Sequence, residues 1–385
     1  MRILGKGKTA LAIREQFINA KLYDDNNINE FDKMSNESTV VSPGIPPSNS
    51  LVKNTKNLIS EYDLYSGDMP FSIWISGTNG KTTTTQMLQH ILKEKGSVCG
   101  GNIGTPLAHL NLDSNIWILE TSSFTLHYTN RAKPNIYILL PVSDDHVSWH
   151  GSFEEYEKSK LKPLDKLKEG EIAIIPSKYK NYKTNGYKIC YDTSNDIAKY
   201  FNINKNKVKF KQPFLMDALL ALAISKILFD EIDYDMINSF IQDEHKLEEF
   251  EDIKKRIWID DSKATNIDAT IQALKSYKNK KIYLILGGDD KGASLDSLFN
   301  ELKKYNVEIF CIGKNSTTLE TLSINYNIKY KVSNTLENAI NNINLVYKST
   351  ENTVSMLSPA AASLDQFTSY KHRGEEFKKI IKDLS

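Results

Sequence analysis

Ser76-Gly77-Thr78-Asn79-Gly80-Lys81-Thr82-Thr83 stands between an apolar run, Phe71-Ser72-Ile73-Trp74-Ile75, and a helical pattern, Gln86-Met87-Leu88-Gln89-His90-Ile91-Leu92. A strand that feeds a glycine turn and then a helix N-terminus makes a phosphate cradle. Backbone N–H groups face outward and the helix dipole favours an anion. Lys81 adds a full positive charge, and Thr82 offers a hydroxyl suited to magnesium. The full Walker spacing asks for a glycine at the position of Ile75, so that match is incomplete. The plainer reading, a glycine turn before an ordinary helix, leaves the order Gly80-Lys81-Thr82 after a strand unexplained.

Around this stretch the chain reads as an ordinary globular protein. Its 385 residues point to two or three domains, with 40% hydrophobic and 25% charged residues. A net charge of +1 gives no whole-chain reason to expect nucleic acid or a membrane as partner. Cys99, Cys190 and Cys311 lie far apart and form no metal-ligand spacing, which fits a reduced, cytoplasmic protein. The run Ala218–Ile224 is too short to cross a bilayer and predicts a buried helix. Met1-Arg2-Ile3-Leu4 passes directly into Gly5-Lys6-Gly7-Lys8, which is not a signal-peptide pattern.

Three blocks follow from the patterning. Residues 1–68 open with a strand, a Gly5–Thr9 turn and a helix, half of a dinucleotide-type fingerprint. Residues 69–243 hold the phosphate cradle and strand-like runs at Ile116–Leu119, Ile136–Leu140 and Ile172–Ile175. Residues 244–385 repeat the alternation, with apolar runs at Ile282–Leu286, Val307–Ile312 and Val354–Leu357. The expectation is an α/β protein: a Rossmann-like N-terminal domain, a central P-loop ATPase-like domain with a parallel sheet, and a Rossmann-like C-terminal domain. Ligands in such sheets bind at the carboxyl ends of the strands.

Further motifs occur in fixed order: Gly101-Asn102-Ile103-Gly104, Glu120-Thr121-Ser122-Ser123-Phe124, Asp145-His146, Asp260-Asp261-Ser262-Lys263-Ala264-Thr265-Asn266, Leu286-Gly287-Gly288-Asp289 and Leu357-Ser358-Pro359-Ala360-Ala361-Ala362-Ser363-Leu364-Asp365-Gln366-Phe367. With the phosphate cradle, they resemble the Mur ligases. The cradle, Gly101–Gly104, Glu120–Phe124 and Asp145-His146 also fit a folylpolyglutamate synthase. The last three motifs are similar to those of the member that adds D-glutamate to UDP-N-acetylmuramoyl-L-alanine. A non-catalytic nucleotide-binding relative is a third reading.

The resemblance implies an ATP-dependent amide ligation through an acyl phosphate, with magnesium as cofactor and a chain that acts as a monomer. It implies ATP contacts from Gly77, Thr78, Asn79, Gly80, Lys81, Thr82, Thr83, Asp217, Lys246 and Asp261. Magnesium falls to Thr82, Glu120, His146 and Lys160, the last as a carbamylated lysine. Only a neutral amine reacts with carbon dioxide, so that site must lower the lysine's pKa. Catalysis rests on Lys81, His146 and Lys160. Gly5, Gly7, Thr9, Asn102 and Ser122 are implied around the sugar nucleotide, with Asp24 or Asp25 for uracil. D-glutamate, with two carboxylates, calls for Lys263, Thr265, Lys291, Ser363, Leu364 and Tyr370. His150 reads as a loop residue. Phe214 replaces an amide that touches adenine in many members, and Lys246 trades an arginine fork for a point charge.

Overall fold

The computed structural model describes residues 1–290, 292, 294–347 and 352–384. The chain divides into two compact units, Met1–Phe240 and Ile241–Ser385.

The first unit holds two parallel sheets. β1 (Arg2–Leu4), β2 (Lys21–Tyr23), β3 (Thr39–Val41) and β4 (Leu58–Ile59) form a small one in the order β2-β1-β3-β4. β5 (Phe71–Ser76), β6 (Ser97–Gly101), β7 (Ile116–Glu120), β8 (Ile136–Leu139), β9 (Ile172–Pro176) and β10 (Tyr187–Tyr191) form the larger one, ordered β10-β9-β8-β5-β7-β6. β5 pairs with β7 on one side and β8 on the other. The strand order thus switches direction at β5, where an open parallel sheet forms its crevice. The carboxyl ends of β5, β7 and β8 bring Ser76, Glu120 and the segment after Leu139 side by side.

Both faces of the larger sheet are covered, which explains why its strands read as unbroken apolar runs. On one face the helix Lys81–Leu92 and the helix Phe214–Phe229 share a core with Ile73, Ile75 and Ile118. All of Ala218–Ile224 is buried there, and truncating one of its leucines would cost about 2–5 kcal/mol. On the other face Trp74, Trp117 and Tyr137 pack with Tyr156 and Leu164. The turn of helix Glu61–Leu64 joins the two sheets. The buried Asp63 carboxylate accepts the N–H groups of Asn130, Arg131 and Ala132, and the Tyr62 hydroxyl donates to the Glu120 carbonyl at 3.3 Å.

The second unit is one mixed sheet: β11 (Glu248–Glu251), β12 (Ile257–Asp260), β13 (Lys281–Leu286), β14 (Val307–Ile312), β15 (Lys329–Asn334) and β16 (Thr353–Leu357), ordered β11-β12-β16-β13-β14-β15. The alternating pattern predicts a parallel sheet, and the edge strand departs from it: β11 pairs antiparallel with β12. The connection 252–256 is too short for a parallel crossover. Asp252 closes it by accepting the N–H groups of Lys254 and Arg256. β12, β16 and β13 are neighbours, so Asp260–Asp261, Ser358–Pro359 and Gly287–Gly288 leave the sheet at one edge. Among the described residues, no helix is long and apolar enough to cross a membrane.

Candidate active site

The strand, glycine turn and helix follow one another as the sequence predicts, and Gly77, two residues after Ile75, supplies the close backbone approach expected at that earlier position. Gly77 sits at φ 142°, and a Cβ there would lie 2.5 Å from the Leu140 Cβ. Gly80, at φ 85°, caps the helix Lys81–Leu92. Thr78 is buried and builds the loop: its hydroxyl bonds the Ser143 backbone and, at 2.9 Å, the Tyr156 hydroxyl. Asn79 and Thr82 are half-buried at the turn and the first helical residues, and Thr83 is buried behind them. Lys81 turns back over the loop, donating to the carbonyls of Thr78 at 2.8 Å and Gly77 at 3.1 Å.

Lys160 is the largest departure from a surface reading of its charged helix. It lies in the helix Phe153–Lys166, is 1% exposed, and donates to the same Gly77 carbonyl at 2.7 Å. Its ammonium stands 4.7 Å from the centre of the Tyr156 ring. Burial, and then the neighbouring Lys81 cation, hold its pKa well below the usual lysine range. Desolvation also lowers Lys81, opposed by Glu120 and Asp145.

Glu120 ends β7 and is 3% exposed. Its Oε1 accepts from the Asn102 amide at 2.7 Å, while its Oε2 is buried without a hydrogen-bond partner. A buried carboxylate oxygen with an open lone pair suits a hard cation. His146 follows Asp145 at φ 54°, its N–H on the Asp145 carboxylate and its exposed ring edge-on to Phe124 at 4.7 Å. His150 is not a loop residue. It closes the one-turn helix Val147–His150 and is buried, with Nε2 3.0 Å from the Ser123 hydroxyl. Burial, with His127, His146 and Lys160 nearby, pushes its pKa down to about 3, so it is a neutral packing group at pH 7.

At the first sheet, Gly5 donates to the Tyr23 carbonyl and Gly7 caps the helix Lys8–Gln16, with Thr9 half-buried on it. Asp24 pairs with Lys6 at 2.8 Å, and Asp25 accepts from Asn49. Lys8 reaches the Gly104 carbonyl, which draws this turn to the Gly101–Gly104 loop. Ser122 caps the helix Ser123–Tyr128 and bonds Thr125. Asp217 is buried beneath the cradle, accepting from Thr84 at 2.8 Å. Phe214 opens the same helix after a cis Gln212–Pro213 bond.

In the second unit Asp261 is buried. It accepts from Ser358 at 2.7 Å and from the Leu247 N–H, and burial pushes its pKa up to about 8. Lys246 pairs with Asp243 at 3.1 Å. The Lys263 ammonium lies 5.7 Å from the centre of the Tyr370 ring, Thr265 and Leu364 are exposed, and Ser363 is buried. Lys291 lies outside the described residues. Sequence reading missed Arg373, which is fully buried and donates to the Ser262 and Ala361 carbonyls and the Ser262 hydroxyl. It also missed the buried His245–Asp260 pair at 2.6 Å, which Glu248 completes as the one cluster of metal-ligating type among the described residues. Lys378 already neutralises Glu248 at 3.1 Å.

Comparison with known proteins shows the family of the chain. Residues 75–219 match the family model described as the Mur ligase middle domain. The chain is 46% identical to a UDP-N-acetylmuramoylalanine–D-glutamate ligase of Campylobacter jejuni over 99% of both chains. It is 42% identical to the ligase of that name from Helicobacter pylori, over 98% of both. Among solved structures, the MurF ligase of Thermotoga maritima in complex with ADP shares the fold, with a TM-score of 0.61 at 13% identity over 99% of this chain and 93% of that one. The chain belongs to the Mur ligase family, in the branch of the UDP-N-acetylmuramoylalanine–D-glutamate ligases.

Proposed function

We propose that this chain joins D-glutamate to UDP-N-acetylmuramoyl-L-alanine, using ATP and releasing ADP and phosphate, in the cytoplasmic synthesis of peptidoglycan precursors. The blocks 1–68, 69–243 and 244–385 would take the sugar nucleotide, ATP and the amino acid in turn, within a monomer. One observation carries the reading: Lys81 and Lys160 converge on the Gly77 carbonyl, in the field of a Glu120 carboxylate with one open oxygen.

A carboxylate is a poor electrophile. Its oxygen attacks the γ-phosphorus, the bond to the β-phosphate bridging oxygen breaks, and the acyl phosphate gains a good leaving group. The amine of D-glutamate then adds to the acyl carbon, phosphate leaves, and the nitrogen sheds a proton. Lys81 holds the β- and γ-phosphates and offsets charge as it builds on the leaving oxygen. Thr82, Glu120, His146 and a carbamylated Lys160 would hold magnesium, which supplies charge neutralisation on the phosphates when bound. The depressed Lys160 favours the neutral amine that carbon dioxide needs. Lys263, Thr265, Ser363, Leu364 and Tyr370, with Lys291, would receive the two carboxylates of D-glutamate, and Asp261 and Lys246 the nucleotide.

The test offers a panel of amino acids to the purified protein with ATP, magnesium and UDP-N-acetylmuramoyl-L-alanine, and reads products by mass spectrometry. An adduct with D-glutamate is expected. Its absence, or an equal adduct with every amino acid, overturns the reading.

A further inference from the structure

His146 takes a left-handed backbone, a conformation uncommon among non-glycine residues although histidine enters it more readily than most. Its own ring is exposed, so burial does not orient it. The Asp145 carboxylate holds the turn from one side through the His146 N–H, and the other hold lies three residues on. The N–H groups of Trp149 and His150 both bond the His146 carbonyl, at 3.0 and 3.1 Å. The Trp149 ring lies 4.6 Å from the Phe124 ring, and Phe124 in turn contacts the His146 imidazole.

Trp149 faces the other way as well. A hydrophobic cluster built mainly from the first sheet, including Leu4, Tyr23 and Val41, takes in Tyr128 as a buried member, and Trp149 packs against it beside Ile45. The Tyr128 hydroxyl donates to the Ile45 carbonyl at 2.7 Å and the Trp149 indole N–H to the Gly44 carbonyl at 3.4 Å. The residue that caps the one-turn helix is therefore a candidate metal ligand, and Trp149, the third residue of that helix, packs half-buried against a cluster built mainly from residues 1–68.

We propose that Trp149 is a positioning residue, which sets His146 for metal binding by fixing its turn to the sugar-nucleotide block. This rests on the reading of His146 as a metal ligand. The test titrates the nucleotide-free full chain with manganese alone, followed by electron paramagnetic resonance, in the wild type and in Trp149→Ala, Trp149→Phe and His146→Ala. Outer-shell groups of a metal site carry about tenfold or more in affinity. Trp149→Ala is expected to weaken manganese binding by about tenfold, and Trp149→Phe, which keeps the ring wedge, by less than about twofold. Circular dichroism verifies the fold, and Trp149→Leu carries the expectation of the alanine variant if that one unfolds. A purely structural tryptophan would lower the melting temperature and leave the folded protein's affinity intact; that result overturns the proposal. If His146→Ala itself binds manganese like the wild type, the metal reading falls, and with it the proposal. If His146→Ala weakens binding and folded Trp149→Ala does not, the positioning role alone falls.

Discussion

The phosphate cradle of the first unit and the loop cluster of the second are both buried and polar, yet they are built oppositely. Around Gly77 two lysines bond carbonyl and hydroxyl oxygens rather than carboxylates, and a glutamate keeps an open oxygen. In the second unit Asp261 is closed by Ser358 and the Leu247 N–H, Asp260 by His245, and Arg373 by two carbonyls and a hydroxyl. The first cluster stores unmet electrostatic demand, which a polyanion and a cation can satisfy. The second answers its own demand and presents Thr265 and Leu364 at its surface. Buried polar groups are left partly unsatisfied in one region and are largely satisfied by one another in the other.

Removing Lys81 breaks the comparison most sharply. Lys81→Ala is expected to lower kcat by about 10³-fold, on the scale of a lost transition-state donor, with unchanged urea unfolding. Arg373→Ala reverses the pattern. It leaves buried carbonyls without donors and is expected to cost about 3 kcal/mol in urea unfolding. A catalytic loss without a stability loss at Arg373, or the converse at Lys81, would erase the distinction.

A buried acid sharpens it. Glu61 is held by the Ala108 and Leu107 N–H groups, and burial raises its carboxyl to about 7 from 4.5. The folded state therefore keeps a proton that the unfolded chain releases. This contribution to stability is full below pH 4.5 and is lost as pH rises through 7. Glu61→Gln is expected to flatten stability across that window and to raise it by up to about 3 kcal/mol at pH 8, read by denaturant titration. An unchanged pH profile contradicts the burial argument. The smallest effect falls at Tyr370, whose ring faces Lys263. Tyr370→Phe keeps the ring and is expected to change KM for D-glutamate by less than about twofold; a larger change would give the hydroxyl a direct contact.

Local signals made the cradle legible. A strand, two glycines at positive φ and Lys81 at the start of a helix are adjacent in sequence, and Glu120 closes an apolar run. The parallel runs of the larger sheet were legible because both faces are buried, whereas β10, Tyr187–Tyr191, carries exposed positions and gives no continuous run. Lys160 could not be read from its charged helix, because its burial comes from Gly77 and Tyr156, 83 and 4 residues away. Arg373 sits in an amphipathic helix whose sequence shows no partner; its acceptors lie 111 and 12 residues upstream. His150 carried one signal, its place among Phe124, His127 and Trp149, which only packing assembles.

The central claim is that the cradle activates the acceptor's carboxylate by transferring the γ-phosphoryl group of ATP to it. The direct measurement starts from UDP-N-acetylmuramoyl-L-alanine with ¹⁸O in both carboxyl oxygens, and reads the released phosphate by mass spectrometry. The account predicts one ¹⁸O in each phosphate formed with D-glutamate ligation. Unlabelled phosphate accompanying the ligated product would contradict it.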